Sequence, residues 1–218
     1  MVEFIPFPKV PRLSRECVIT EKLDGTNASI WIDDFYTVPW GANQEEAKVV
    51  ASIPHDGPVL SSWLIRAGSR KRFVTPGKDT DNFGFASWVR DNAEELVKLG
   101  PGVHYGEWWG KGIQRNYGLD ERRFSLLNVG RWINTHKEPE IVDLSKQERA
   151  PTCCHVVPEL WRGMFSEGFV NAALNLLDMR GSSAAPGFSD PEGVMVYHTA
   201  AQQYFKKTFK GDEAGKGN

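Results

Sequence analysis

The chain has 218 residues, 40% of them hydrophobic and 25% charged, with a net charge of −2. That suits one large domain or two small ones, and a charge this balanced neither demands nor excludes a polyanionic partner. Three cysteines, two of them adjacent, give no disulfide framework and suit a reducing cytoplasm.

The opening "MVEFIPFPKV" is too short and too broken by proline for a signal peptide, and no apolar run reaches the length of a membrane span. "CVIT" at 17–20 is a short apolar run that stops at an Asp-Gly pair, and "NASIWI" at 27–32 leads away from it. Together, 17–32 predicts two strands around a turn. "KVVASI" and "VLSSWLIRAGS" are further strand candidates. Residues 66–78 carry Arg66, Arg70, Lys71, Arg72 and Lys78 with no acid among them, a local patch able to hold phosphates or merely to be solvated.

The pattern over 81–100 predicts a helix: Asp81 or Asn82 to cap it, Phe85, Trp88 and Val89 at helical spacing, Gly100-Pro101 to end it. "VHYGEWWG" and "RFSLLNVGRW" predict strands, residues 134–150 an exposed polar loop, and "CCHVVPEL" a core strand without the paired ligands of a zinc site. A second helix is expected over 168–181, stopped by Gly181, and the strand-like "GVMVYHT" and "QQYFKKTF" close the pattern. The expectation is a single α+β domain over 1–218.

Six polar residues stand out against this background. Lys22 precedes the Asp-Gly turn, Arg70 follows a strand, and Glu107, Glu192 and Lys206 sit among apolar or bulky strand residues, with Asp24 inside the turn itself. A charge placed among strand-forming apolar residues costs free energy unless it is paired or used. For each residue alone, a structural ion pair, a turn or ordinary core is a sufficient reading: Glu107 as a partner of Arg115 or His104, Phe124 as core, Asp24 as a turn former.

The order of the segments "EKLDGTN", "GSRKR", "YGEWWGKGIQ", "FSLLNV", "PEGVMV" and "YFKKTF" resembles the covalent nucleotidyltransferase superfamily, and within it the RNA ligase family, nearest its RNA ligase 2-like, nick-sealing branch. The resemblance covers nearly the whole chain. It implies an ATP-grasp-like nucleotidyltransferase core of mostly antiparallel sheets flanked by helices, with the active site between the sheets. It also implies an ATP-dependent enzyme that forms a lysyl-AMP at Lys22, passes AMP to a 5′-phosphate end and seals that end to a 3′-hydroxyl.

In that chemistry a lysine, ordinarily cationic, must become nucleophilic. By resemblance Lys206 lies at the α-phosphate, where its charge assists deprotonation of Lys22 and neutralises charge developing on the phosphate. Asp24 and Glu192 hold the waters of Mg²⁺, for which Mn²⁺ can substitute. Arg70 and Glu107 contact the ribose, Phe124 stacks on adenine, and Glu21 lies at the adenine edge. Thr26, Asn27 and Phe83 face nucleic acid, with RNA the expected partner and no membrane involved.

Two departures qualify the resemblance. The last motif usually has the form Lys-x-Lys, and here Thr208 stands at the second lysine's place while Lys207 points to the other face. Ten residues follow Thr208, so no appended carboxyl-terminal or OB-fold domain is expected, and an accessory subunit could stand in for it. The competing readings are a small DNA ligase or capping-type enzyme, and a non-catalytic nucleotide- or nucleic-acid-binding module. An intact Lys22 speaks against the last, since binding alone needs no nucleophile.

Overall fold

The structure is a computed structural model and describes residues 4–5, 7–35, 48–56, 61–136 and 147–210. Most of the predicted 134–150 loop falls outside these residues. In chain order the strands are β1 (Glu16–Lys22), β2 (Thr26–Phe35), β3 (Ala51–Pro54), β4 (Ser62–Ser69), β5 (Phe73–Val74), β6 (Gly102–Gly110) and β7 (Arg122–Leu126), then β8 (Trp132–Ile133), β9 (Glu148–Arg149), β10 (His155–Val156), β11 (Glu159–Met164), β12 (Gly193–His198) and β13 (Gln203–Thr208). The helices are α1 (Phe85–Asp91), α2 (Ala93–Leu96) and α3 (Glu167–Arg180). It is a sheet-rich α+β fold, as the sequence predicts.

The chain divides into two compact units, one built from residues 1–22 and 158–218 and the other from 23–157. The first holds the antiparallel sheet β11-β1-β12-β13. One face of that sheet is covered by α3, because Val170, Ala173, Leu174 and Leu177 recur one helical turn apart and meet Cys17, Ile19, Val194 and Val196. Burying a side chain of this size contributes about 1.5–3 kcal/mol, so this seam holds the unit together. Ser166 caps the helix by accepting from the Gly168 N–H at 3.2 Å, and Gly181, at φ 77°, ends it.

The second unit is built on the sheet β10-β7-β6-β2-β4-β3, with β5 beside β4. Ala28, Ile30, Ile32, Ile65, Ala67, Trp108, Phe124 and Leu126 form its buried face. Phe85 and Trp88 of α1 lie against the rings of Trp108 and Phe124. The single helix predicted over 81–100 is broken at Asn92, whose side-chain amide donates to the Trp88 carbonyl at 2.8 Å and closes α1 before α2 begins. Asp81 acts as the expected cap from a distance: Gly84 occupies the formal cap position, yet the Asp81 carboxylate accepts from the N–H groups of Ala86 (2.7 Å) and Ser87 (3.0 Å).

The two strands expected around the 23–25 turn do form, but they do not pair. β1 bonds to β11 and β12, whereas β2 bonds to β4 and β6. Residues 23–25 are therefore a crossing between sheets. Gly25 is required there by contact rather than by turn geometry: a Cβ at this position would lie 2.4 Å from the Trp108 carbonyl oxygen and 2.7 Å from the Trp109 Cβ.

Candidate functional site

Strand register decides which predicted side chains share a face, since successive residues of a strand point to opposite sides. In the first unit, Cys17, Ile19 and Glu21 lie on the α3 face and Lys22 on the other. Lys22 is paired with Gly193, Gly193 with Thr208, and Met195 with Lys206. Lys22, Lys206 and Thr208 therefore share the face turned away from α3. Lys207 lies on the α3 face, and its ammonium donates to Asn171 of that helix at 2.7 Å.

Lys22 is half-buried at the end of β1, and its ammonium forms an ion pair with the Glu192 carboxylate. The two are 170 residues apart in sequence, and the pairing of β1 with β12 brings them together. Glu192 is fixed in turn by its backbone, the carbonyl accepting from Phe209 N–H at 3.1 Å. Lys206 is exposed on the edge strand.

Glu21 lies on the opposite side of β1 from Lys22. Its side chain is 1% exposed and turned to the α3 side. One oxygen accepts from the Ser182 hydroxyl at 2.5 Å, and the other accepts from the N–H groups of Ser183 (2.8 Å) and Ala184 (3.0 Å). The expectation for Glu21 is the adenine edge; in the structure its side chain serves a loop instead. The carboxylate is consumed by the segment that follows α3.

The second unit carries the remaining predicted residues. Asp24 accepts from Arg115 Nε at 2.9 Å, and its N–H donates to the Tyr117 hydroxyl at 2.8 Å. Glu107 accepts from the Gly25 N–H at 3.2 Å. The crossing at 23–25 is thus gripped by β6 and by the loop after it. That loop holds Gln114, Asn116 and Tyr117 at φ of 44°, 62° and 52°, left-handed conformations that cost free energy in non-glycine residues. "GKGIQRNYG" signals a turn by composition, but nothing in its pattern says that Arg115 and Tyr117 reach back to Asp24.

Glu107, Ser125, Asn27 and Tyr105 lie on the face away from α1, as their cross-strand pairing requires. Phe124 lies on the opposite face, paired with Trp108 and wholly buried among Phe85, Trp88 and Trp108. Gly106 makes room for it, since a Cβ there would fall 2.4 Å from the Phe124 ring. A ring sealed on both sides has no face for a base, so the expected stacking role of Phe124 is corrected to core. Leu127, next in the alternation on Glu107's side, is only half-buried.

Arg70 is exposed in the turn between β4 and β5. Thr26 accepts from the Asn82 amide at 3.1 Å, and Asn27 is exposed. Phe83 shows 48% of its surface at φ 51°, its carbonyl held by Trp108 Nε1 (3.0 Å) and Arg122 (2.8 Å). Among the described residues no three His, Cys, Asp or Glu side chains cluster as metal ligands. Of the two carboxylates expected at a metal, Asp24 faces Arg115 and Glu192 faces Lys22.

The RNA ligase family profile matches residues 15–211. No curated protein compared with the chain matches it. Among solved structures, the chain is similar to variants of an RNA ligase of Naegleria gruberi. One, solved with AMP and Mn, has 17% identity and a TM-score of 0.50 over 90% of this chain and 50% of that one. Two others, solved with ATP and Mn, have 16% identity and TM-scores of 0.50. They cover 91% and 89% of this chain, and 51% and 49% of theirs. The likeness is one of fold, and the chain spans about half the length of these proteins.

Proposed function

Because the chain belongs to the RNA ligase family over residues 15–211, we propose that it is the nucleotidyltransferase part of an ATP-dependent RNA ligase. The observation that carries this reading is the Lys22–Glu192 pair at the end of β1, with Lys206 on the same face of the same sheet. A lysine placed on a rigid strand end, held by one carboxylate and flanked by a second lysine, is arranged as a nucleophile beside an anion site.

Lys22 attacks the α-phosphate of ATP through its Nζ. The ammonium first gives a proton to water, the neutral amine then forms the N–P bond as the bond to the leaving pyrophosphate breaks, and a second proton passes from the nitrogen to water. The Glu192 pair keeps the ammonium in one place before the nucleotide arrives. Lys206 offsets the negative charge that grows on the phosphate oxygens. Glu107 and Arg70 are proposed for the ribose hydroxyls. The AMP then passes to a 5′-phosphate end, and an RNA 3′-hydroxyl displaces it.

A divalent cation fits this chemistry through Glu192 and the nucleotide's own phosphates, because Mg²⁺ keeps several waters and needs few protein ligands. It would supply further stabilisation of charge on the phosphate. Asp24, already held by Arg115, is the weaker candidate for that ion. The solution of similar proteins with ATP, AMP and Mn supports the choice of nucleotide and of a divalent metal.

The test is incubation with α-labelled ATP and Mg²⁺ followed by denaturing electrophoresis. Label is expected on the parent protein and absent from Lys22→Ala. A Lys22→Ala protein that labels like the parent would falsify the assignment of the nucleophile.

A further inference from the structure

Glu21 and Lys22 are neighbours on β1, yet they point to opposite faces and hold the two ends of one connection. The segment from Gly181 to Glu192 joins α3 to β12. Glu21 binds its beginning through Ser182, Ser183 and Ala184, and Lys22 binds its end through Glu192. The beginning is tied to itself as well. Ser182 N–H donates to the Phe188 carbonyl at 2.8 Å, Phe188 N–H to the Ala185 carbonyl at 3.0 Å, and Ala185 N–H to the Ser182 hydroxyl at 3.0 Å. Gly181 packs so closely that a Cβ would lie 2.4 Å from the Phe188 carbonyl oxygen.

We propose that Glu21 is a positioning residue for the Lys22 nucleophile, acting through the 182–192 connection on Glu192, and that it makes no contact with the nucleotide. The inference rests on the lysyl-adenylate reading above. Its physical basis is that a buried carboxylate must have its acceptor sites filled, and here those sites are filled by one short loop. Released from that anchor, the half-buried Ser183 and Ala184 N–H groups lose their acceptor, and the loop shifts to turn them to water. Glu192, at the far end of the same segment, keeps its backbone bond to Phe209, but its carboxylate loses one of the two supports that aim it at the Lys22 amine. Small displacements of a reacting group are costly: about 1 Å can cost on the order of a hundredfold in rate.

The alternative role, a base contact, predicts a different pattern, and the two separate in single-turnover labelling. For Glu21→Ala we expect the rate at saturating ATP to fall roughly tenfold to a hundredfold, with the half-saturating ATP concentration and the preference for ATP over GTP unchanged. Glu21→Gln keeps an oxygen for the Ser183 and Ala184 N–H groups once its amide turns toward the Ser182 hydroxyl, so it should stay within about threefold of the parent. Ser182→Ala should move the rate in the same direction by less, and Glu21→Ala with Ser182→Ala should be no slower than Glu21→Ala alone, because both changes cut one tether.

A weaker affinity for ATP or a loss of discrimination against GTP, at an unchanged saturated rate, would overturn the proposal in favour of a base contact. So would a normal rate in Glu21→Ala. A readout without nucleotide keeps the proposal separable from the adenylylation reading: trace acetylation of the apo protein by acetic anhydride, quantified by mass spectrometry with Lys98 as internal reference. Held less firmly by Glu192, Lys22 should acetylate about threefold faster in Glu21→Ala than in the parent and unchanged in Glu21→Gln. Equal rates in all three proteins would overturn the proposal, whether or not the parent takes label from ATP.

Discussion

The two units use the same device, a sheet with helices on one face, but treat their polar residues differently. In the 1–22/158–218 unit a charged residue sits on each side of β1: Glu21 is locked into the α3 side and Lys22 is held on the other. In the 23–157 unit the helix side is a continuous aromatic core, and the polar residues Glu107, Asn27 and Ser125 lie on the reverse side of the same strands. The lesson is that a residue's side of its sheet, which the local sequence does not give, decides whether its side chain is sealed against the helices or left on the open face. Glu21 and Phe124 are sealed on the helix side; Lys22, Lys206 and Glu107 fall on the side away from the helices.

The sharpest way to break this comparison is at Phe124. As core, Phe124→Ala should destabilise the protein by about 3–5 kcal/mol, the usual cost of emptying a buried aromatic site. The folded fraction should bind ATP with unchanged affinity. Urea unfolding, paired with ATP titration under folding conditions, checks both. A stable variant with weakened ATP binding would restore Phe124 to the site.

Lys206 and Lys207 test the same rule in the other unit. Lys206→Ala should slow single-turnover adenylylation roughly a hundredfold, the typical loss for one preorganised electrostatic contact. Lys207→Ala gives up its contact with Asn171 and its exposed ion pair with Glu167, both on the α3 side, and should be mild. If Lys207→Ala is the crippled variant, the face assignment of β13 is wrong.

Much of this was readable from the chain alone. The helix over 167–180 was legible because its apolar spacing, Ser166 and Gly181 agree with one another. The side of Lys206 was legible because strand alternation is local. The partners of Glu21 at Ser182–Ala184 were not legible, because they lie 161–163 residues away and no local pattern marks them. Phe124 was misplaced because its side depends on which residue of β6 it opposes, a register that only the folded sheet supplies. The pairing of Arg115 with Asp24 was hidden for a related reason, since a strained loop aims that guanidinium.

A smaller effect is expected where α1 joins the aromatic core. The Asp81 carboxylate serves the N–H groups of Ala86 and Ser87 and the Ser87 hydroxyl, which would otherwise lose their partners at the helix start. Asp81→Ala should cost about 0.5–2 kcal/mol, measured as a lower urea midpoint. Asp81→Asn should recover part of that, since one amide oxygen still accepts. No loss in Asp81→Ala would mean that the aromatic packing, and not the cap, sets the position of α1.

The smallest expected effect concerns pH and lies at β10, on the edge of the larger sheet. His155 stacks on His136 with ring centroids 4.3 Å apart. Burial, with His136 and Arg123 nearby, pushes its pKa down from 6.5 to about 4, while Glu121 acts weakly the other way. A group held neutral in the fold but free to charge in the unfolded chain makes stability fall as pH falls. The contribution is therefore fully present above about pH 6.5 and lost progressively toward about pH 4. Discounted for partial exposure, the loss between pH 7 and pH 5 should be on the order of 1 kcal/mol. His155→Phe keeps an aromatic ring against His136 and removes the titration, so its urea midpoint should depend less on pH than that of the parent across this window. Equal pH dependence in the two proteins would place the titrating group elsewhere, with His104, also pushed down by burial, the next to replace.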